Sequence, residues 1–214
     1  MMVPPPSQGA LQALPGSTVP SESLHLFWSW PKPVTIKDEA DARRAVATIL
    51  MEGTAEDWRR LDLAAIAPIV DELPLFGGAK RLWATVCRSL AQAEPDREPA
   101  SRMEKRPDAG ADAAILPDPA ATVLALDPRH PEARVLLDVY ALLGRCDIIE
   151  ILAIARAMDE RVNASWLAKT LAVAEQADFS LAESPAPASE ERIKDALLSA
   201  AAKLVLWALR AEME

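Results

Sequence analysis

Proline placement constrains this chain more than any other feature. Eighteen prolines stand against seven glycines in 214 residues, and they are clustered rather than spread. A proline removes a backbone donor and biases the residue before it away from helical geometry, so each cluster predicts a break between helices. The first cluster covers 1–33, with Pro4, Pro5, Pro6, Pro15, Pro20, Pro31 and Pro33 among scattered Ser and Gly. The second runs from Glu94 to Pro117, EPDREPASRMEKRPDAGADAAILP. It is dense in charge and has no apolar period, the composition of a linker. A shorter break, ESPAPAS, occupies Glu183 to Ser189. The chain therefore divides into a Pro-rich flexible arm (1–33), a helical unit (34–93), a charged Pro-rich linker (94–117) and a larger helical unit (118–214) with a long final helix.

Between the breaks, apolar residues recur at helical spacing. Val46, Ile49 and Leu50 share one face of a segment that begins near Asp38 and ends at Gly53. Thr54 with Asp57 resembles a capping box with Asp in place of Glu, opening a second helix through Trp58 and Leu61. Pro68 falls inside the apolar run LAAIAPIV and marks a kink or the first turn of a new short helix. Gly77-Gly78 then releases a helix from Ala79 to about Ala93, with Leu82, Trp83, Val86 and Leu90 inward.

In the C-terminal unit, Asp118-Pro119 and the weaker His130-Pro131 start helices, and Gly144 closes one. Asp147 and Asn163 cap the next two. Ser189 caps the last, which turns Ile193, Leu197, Leu204 and Trp207 toward its partners. No stretch alternates polar and apolar residues with period two, so the expected fold is all-α. Half the residues are hydrophobic but only ten are aromatic, so the core is expected to be mostly Ala, Leu, Ile and Val.

The run VLALDP at 123–128, PEARVLL at 131–137 and Gly144 together resemble part of a tetratricopeptide repeat. In that family a helix ends in a short acidic-proline turn, and Leu and Gly recur in the next helix. The likeness covers about 123–158 and implies a helical hairpin. Asp138 and Ile149 depart from the small residue and alanine of that pattern, the spacing to Gly144 is one short, and no second copy follows.

The chemistry-bearing residues are few. Formal net charge is −9, and residues 118–214 carry 10 basic against 16 acidic side chains. Such a surface favours solubility and repels nucleic-acid phosphates on average. Cys87 and Cys146 cannot form a disulfide framework, and with His25 and His130 they match no zinc-site spacing. FGGAKR at 76–81 lacks the spacing and hydroxyl of a phosphate loop, and the pairs Asp159-Glu160 and Glu190-Glu191 diverge on a helix. No catalytic set, cofactor or metal is therefore expected. The N-terminus shows no signal-peptide pattern, and the most apolar helix, Ala196 to Leu209, is interrupted by Lys203 and too short to span a bilayer. A cytoplasmic setting with free thiols is the expectation.

Three features are candidates for binding. LHLFWSW at 24–30 sets five apolar residues in the Pro-rich arm, so Leu26, Phe27, Trp28 and Trp30 serve either as a hydrophobic clasp on their own unit or as docking anchors. Arg43-Arg44, Arg59-Arg60 and Lys80-Arg81 place one basic pair in each N-terminal helix, a basic patch if they converge. The segment 151–173 has a helix–turn–helix outline, with Asn163 at the turn and Ser165, Lys169 and Thr170 directed to a groove. The leading expectation is a helical protein–protein interaction module, an adaptor, accessory subunit or regulator that binds another protein or itself. Nucleic-acid binding and an unrecognised enzyme rank below it.

Overall fold

The computed structural model describes residues 25–27, 29, 35–92, 117–127, 130–179 and 189–210. Every regular element among them is helical, so the fold is all-α, and it closes with the long C-terminal helix. Apart from 25–27, 29 and Pro117, the expected arm and linker lie outside the described residues. The chain forms two compact units, with the boundary between Leu75 and Phe76.

The first unit contains α1 (Glu39–Glu52), α2 (Ala55–Arg59), α3 (Leu63–Ile66) and a 3-10 helix, Ala67–Glu72. Local chemistry sets each boundary. The Asp38 carboxylate accepts from the Asp41 N–H at 2.8 Å and caps α1. At its other end the Ile49 carbonyl accepts twice, from the Gly53 N–H at 2.8 Å and from the buried indole Nε1 of Trp58 at 3.1 Å. That doubly used oxygen ties α1 to α2. Asp57 Oδ2 accepts from both the backbone N–H and the hydroxyl of Thr54, each at 2.9 Å, which is the predicted capping box. Pro68 stands in the first turn of the 3-10 helix, where its missing donor costs nothing.

The second unit contains α4 (Gly77–Gln92), α5 (Pro119–Leu124), α6 (Ala133–Leu143), α7 (Ile148–Met158), α8 (Ala164–Val173) with a following 3-10 turn at Ala174–Gln176, and α9 (Glu190–Arg210). Helix α8 lies at its centre, packed most extensively on α9 and also on α4. Both α8 and α9 bury rows of alanine, including Ala164, Ala168 and Ala172 on one and Ala200, Ala201 and Ala202 on the other. Small side chains of this kind let helix axes approach closely. Helix α5 packs on α6 and α7, and both of these reach α9.

Three expectations need adjusting. Helix α4, grouped by the linker position with residues 34–93, belongs to the second unit, because its face of Leu82, Trp83 and Val86 is buried where it packs on α8 and α9. It also starts at Gly77 rather than Ala79. Gly77 takes a left-handed φ of 46°, and a Cβ on Gly78 would collide with the Ala172 carbonyl of α8. Those glycines serve a close helix approach as well as a turn. Finally, α6 is entered from Glu132 rather than His130, and Trp207 is 37 % exposed because the buried stripe of α9 runs through Ala201, Val205 and Ala208.

Candidate interaction surface

Helix α7 has the sequence IIEILAIARAM, bounded by strong local signals. Asp147 accepts from the Ile149 N–H at 2.9 Å, and Glu150 returns to the Asp147 N–H at 3.0 Å, closing a capping box. Lys203 of α9 also binds the Asp147 carboxylate. Partial burial pushes that carboxyl up, but the hydrogen bonds from Lys203 and the Ile149 N–H outweigh it and leave Asp147 below the ordinary carboxylate range. Beyond the helix, Arg161 grips Asp159 through Nε and Nη2 at 2.6–3.1 Å and lowers its carboxyl to about 2.

The inward stripe of α7 is Ile148, Ile151, Leu152 and Ala155, all buried at helical spacing. The outward face is apolar too. Ala153 and Ala157 are exposed, Ile154 is 44 % exposed and Met158 71 % exposed, and Ile149 is half-buried. Only Glu150 and Arg156 interrupt this face. Helix α5, packed alongside, turns Leu124 outward at 43 % exposure. Other helices show solvent a charged face: Arg44 and Glu52 on α1, Arg88 on α4, and Glu191 and Lys203 on α9. An 11-residue helix with apolar side chains all round normally lies in a core. This one is covered on one side only.

The residues singled out by the sequence occupy different surroundings. Phe27 is fully buried, so it belongs to the core and is not a free anchor. Leu26 is half-buried, and Trp28 and Trp30 lie outside the described residues. The basic pairs are divided between the units, with Arg43, Arg44, Arg59 and Arg60 in the first and Lys80 and Arg81 in the second. In each pair at least one arginine is engaged by acids of its own unit. Arg43 meets Glu39 at 2.7 Å and Glu72 at 2.9 Å, and Arg60 meets Asp57 at 3.0 Å. Arg81 spans Glu175 at 2.9 Å and Asp195 at 2.6 Å, and those hydrogen bonds raise its pKa further.

In the helix–turn–helix outline, Ser165 and Thr170 are buried, and the Thr170 hydroxyl donates back to the Trp166 carbonyl at 2.9 Å. Helix α8 therefore directs these side chains into its own unit rather than toward a groove. Between α4 and α9 an open groove of about 310 Å³ is lined by Arg81, Arg88, Thr85 and Ser199 among others, but Arg81 is already neutralised there by Asp195. Cys87 is buried, which pushes its thiol up to about 11, and Cys146 is half-buried. Among the described residues, no three His, Cys, Asp or Glu side chains are grouped to hold a metal, and no helix is long and apolar enough to cross a membrane.

Periodicity alone overlooked the outward face of α7. The available signal was the apolar residues at 149, 153, 154, 157 and 158, which complete a ring around the helix that a one-sided stripe does not need. Comparison with protein-family models, curated proteins and solved structures finds no match to this chain.

Proposed function

We propose that this chain is a helical protein–protein interaction module, an adaptor, accessory subunit or regulator of a larger complex, and that it docks through the outward face of α7. The observation that carries this reading is the exposure of Ile154 and Met158 on a helix whose opposite side is fully packed. Full burial of a side chain of this size stabilises by about 1.5–3 kcal/mol, so covering the exposed portions of Ile154, Met158 and Leu124 offers a few kcal/mol to a partner. The engaged arginines and the burial of Ser165 and Thr170 favour protein docking over nucleic-acid binding. The tetratricopeptide likeness at 123–158 fits the same reading, since that segment spans the end of α5, α6 and α7 and would present a helical face. Two free thiols suit a cytoplasmic setting.

Affinity capture tests the proposal. The full chain is immobilised and exposed to a lysate supplemented with a differently tagged copy of itself. Recovery of an identified protein, or of the tagged copy, should be lost with the double variant Ile154→Glu/Met158→Glu while the circular dichroism stays helical. Recovery of the same proteins by the wild type and the double variant, or of none by the wild type, would overturn it.

A further inference from the structure

We propose that the groove between α4 and α9 binds a small dipolar ligand, a free peptide of about three residues held by its two charged ends. Helical spacing assembles this groove within the second unit. On α4, Arg81, Thr85 and Arg88 recur at i, i+4 and i+7, and on α9 Asp195 and Ser199 recur at i and i+4. Each set therefore stands on one side of its helix. Ala84 and Leu198 supply apolar lining between them. The volume, about 310 Å³, is at the lower end of the range for small-molecule sites, roughly 300–1,000 Å³.

Charge of opposite sign marks the two ends. At one end Arg81 joins two carboxylates, Glu175 at 2.9 Å and Asp195 at 2.6 Å, so two acids stand against one base. One turn earlier on α9, Glu191 and Arg192 offset each other. Asp195 is exposed and uses Oδ1 for Arg81, which leaves Oδ2 able to accept from an ammonium group. At the other end Arg88 is exposed and makes no ion pair among the described residues. Between the ends, the hydroxyls of Thr85 and Ser199 make no hydrogen bond among the described residues. The seven residues from Arg81 to Arg88 rise about 10.5 Å along α4, and three residues of extended peptide span about 10 Å. A tripeptide laid along the groove thus brings its ammonium to Asp195 and its carboxylate to Arg88, with its amides passing the two hydroxyls. A simple anion meets Arg88 but is opposed by the excess carboxylate at the far end and by the formal charge of −9. A simple cation finds Asp195 already shared with Arg81. A ligand carrying both signs satisfies both ends.

An NMR titration of the full chain with trialanine at low ionic strength tests this. Amide shifts at Thr85 and Ser199 should saturate with a Kd of about 1 mM or below. Trialanine amide and N-acetyl-trialanine each lack one end charge and should each bind at least about tenfold more weakly. Arg88→Gln should weaken trialanine by a similar factor and leave the amide unaffected, because the amide has no carboxylate to lose. Asp195→Asn should weaken trialanine and leave the acetylated peptide unaffected. Both positions are exposed, so helix content should not change. Absence of saturable shifts at Thr85 and Ser199 overturns the site. Equal binding of trialanine, its capped forms and acetate, or trialanine binding indifferent to Arg88→Gln, overturns the dipolar recognition. No residue of α7 lines the groove, so either result leaves the docking reading to its own test.

Discussion

Helices α7 and α8 follow one another in the chain, have 11 and 10 residues, and are both mostly apolar, yet they end in opposite surroundings. Helix α8 buries Leu167, Ala168, Thr170, Leu171 and Ala172 beneath α4 and α9. Helix α7 is covered by α5 along one side and keeps Ile154 and Met158 in solvent. Apolar content thus indicates that a helix requires covering, but the supply of neighbouring helices decides whether its own chain does it. The uncovered residue of that demand is where a partner gains most.

Substitutions in the two helices should differ accordingly in cost. Leu167 is fully buried in α8, so Leu167→Ala should cost about 2–5 kcal/mol in denaturant unfolding, while Ile154→Ala in α7 should cost under about 1 kcal/mol. Equal losses would show that the outward face of α7 is structurally committed after all. Next in size, Gly78→Ala forces a methyl group into the Ala172 backbone of α8 and should destabilise by roughly 1–3 kcal/mol, read as a lower denaturation midpoint with unchanged slope. A neutral result would mean that the sheath around α8 is looser than it looks.

Smaller effects probe α7 itself. Asp147→Ala removes both a helix cap and the Lys203 contact, and about 1 kcal/mol should be lost, mostly from the cap because the ion pair is partly exposed. Lys203→Met should cost less, and a larger loss there would make α9 the main support of α7. The smallest effect is a titration. The ionised form of Asp159 is favoured in the fold by Arg161, so its contribution holds above the ordinary carboxylate pKa of about 4 and disappears as pH falls toward its folded value of about 2. Carboxyl NMR should place that midpoint near 2, and Arg161→Gln should return it to the ordinary range.

Much of the fold was legible because caps are local chemistry. Asp38, Asp118, Asp147 and Asn163 each accept a backbone N–H within three residues, so a short window of sequence contains the whole interaction. The transfer of α4 to the second unit was not legible, since it depends on Gly78 meeting a helix almost a hundred residues away. The basic pairs divide on the same ground: Arg43 and Arg60 meet Glu39 and Asp57 within four residues, but Arg81 takes its partners from Glu175 and Asp195, which no short window contains. The outward face of α7 was written in the sequence as a ring of apolar residues, but a search for an inward stripe is satisfied by half of that ring. Phe27 was visible as an apolar residue in a Pro-rich arm, and only packing could show that it is core.

The two carboxylates held by Arg81 are 94 and 114 residues further along the chain. At a ribosome adding roughly 5–20 residues per second, α4 is synthesised on the order of ten seconds before the acids that anchor it. Through that interval Leu82, Trp83 and Val86 travel without the α8 and α9 surfaces they finally pack against. The nascent chain, more than the finished protein, is therefore the state in which these three side chains are left bare.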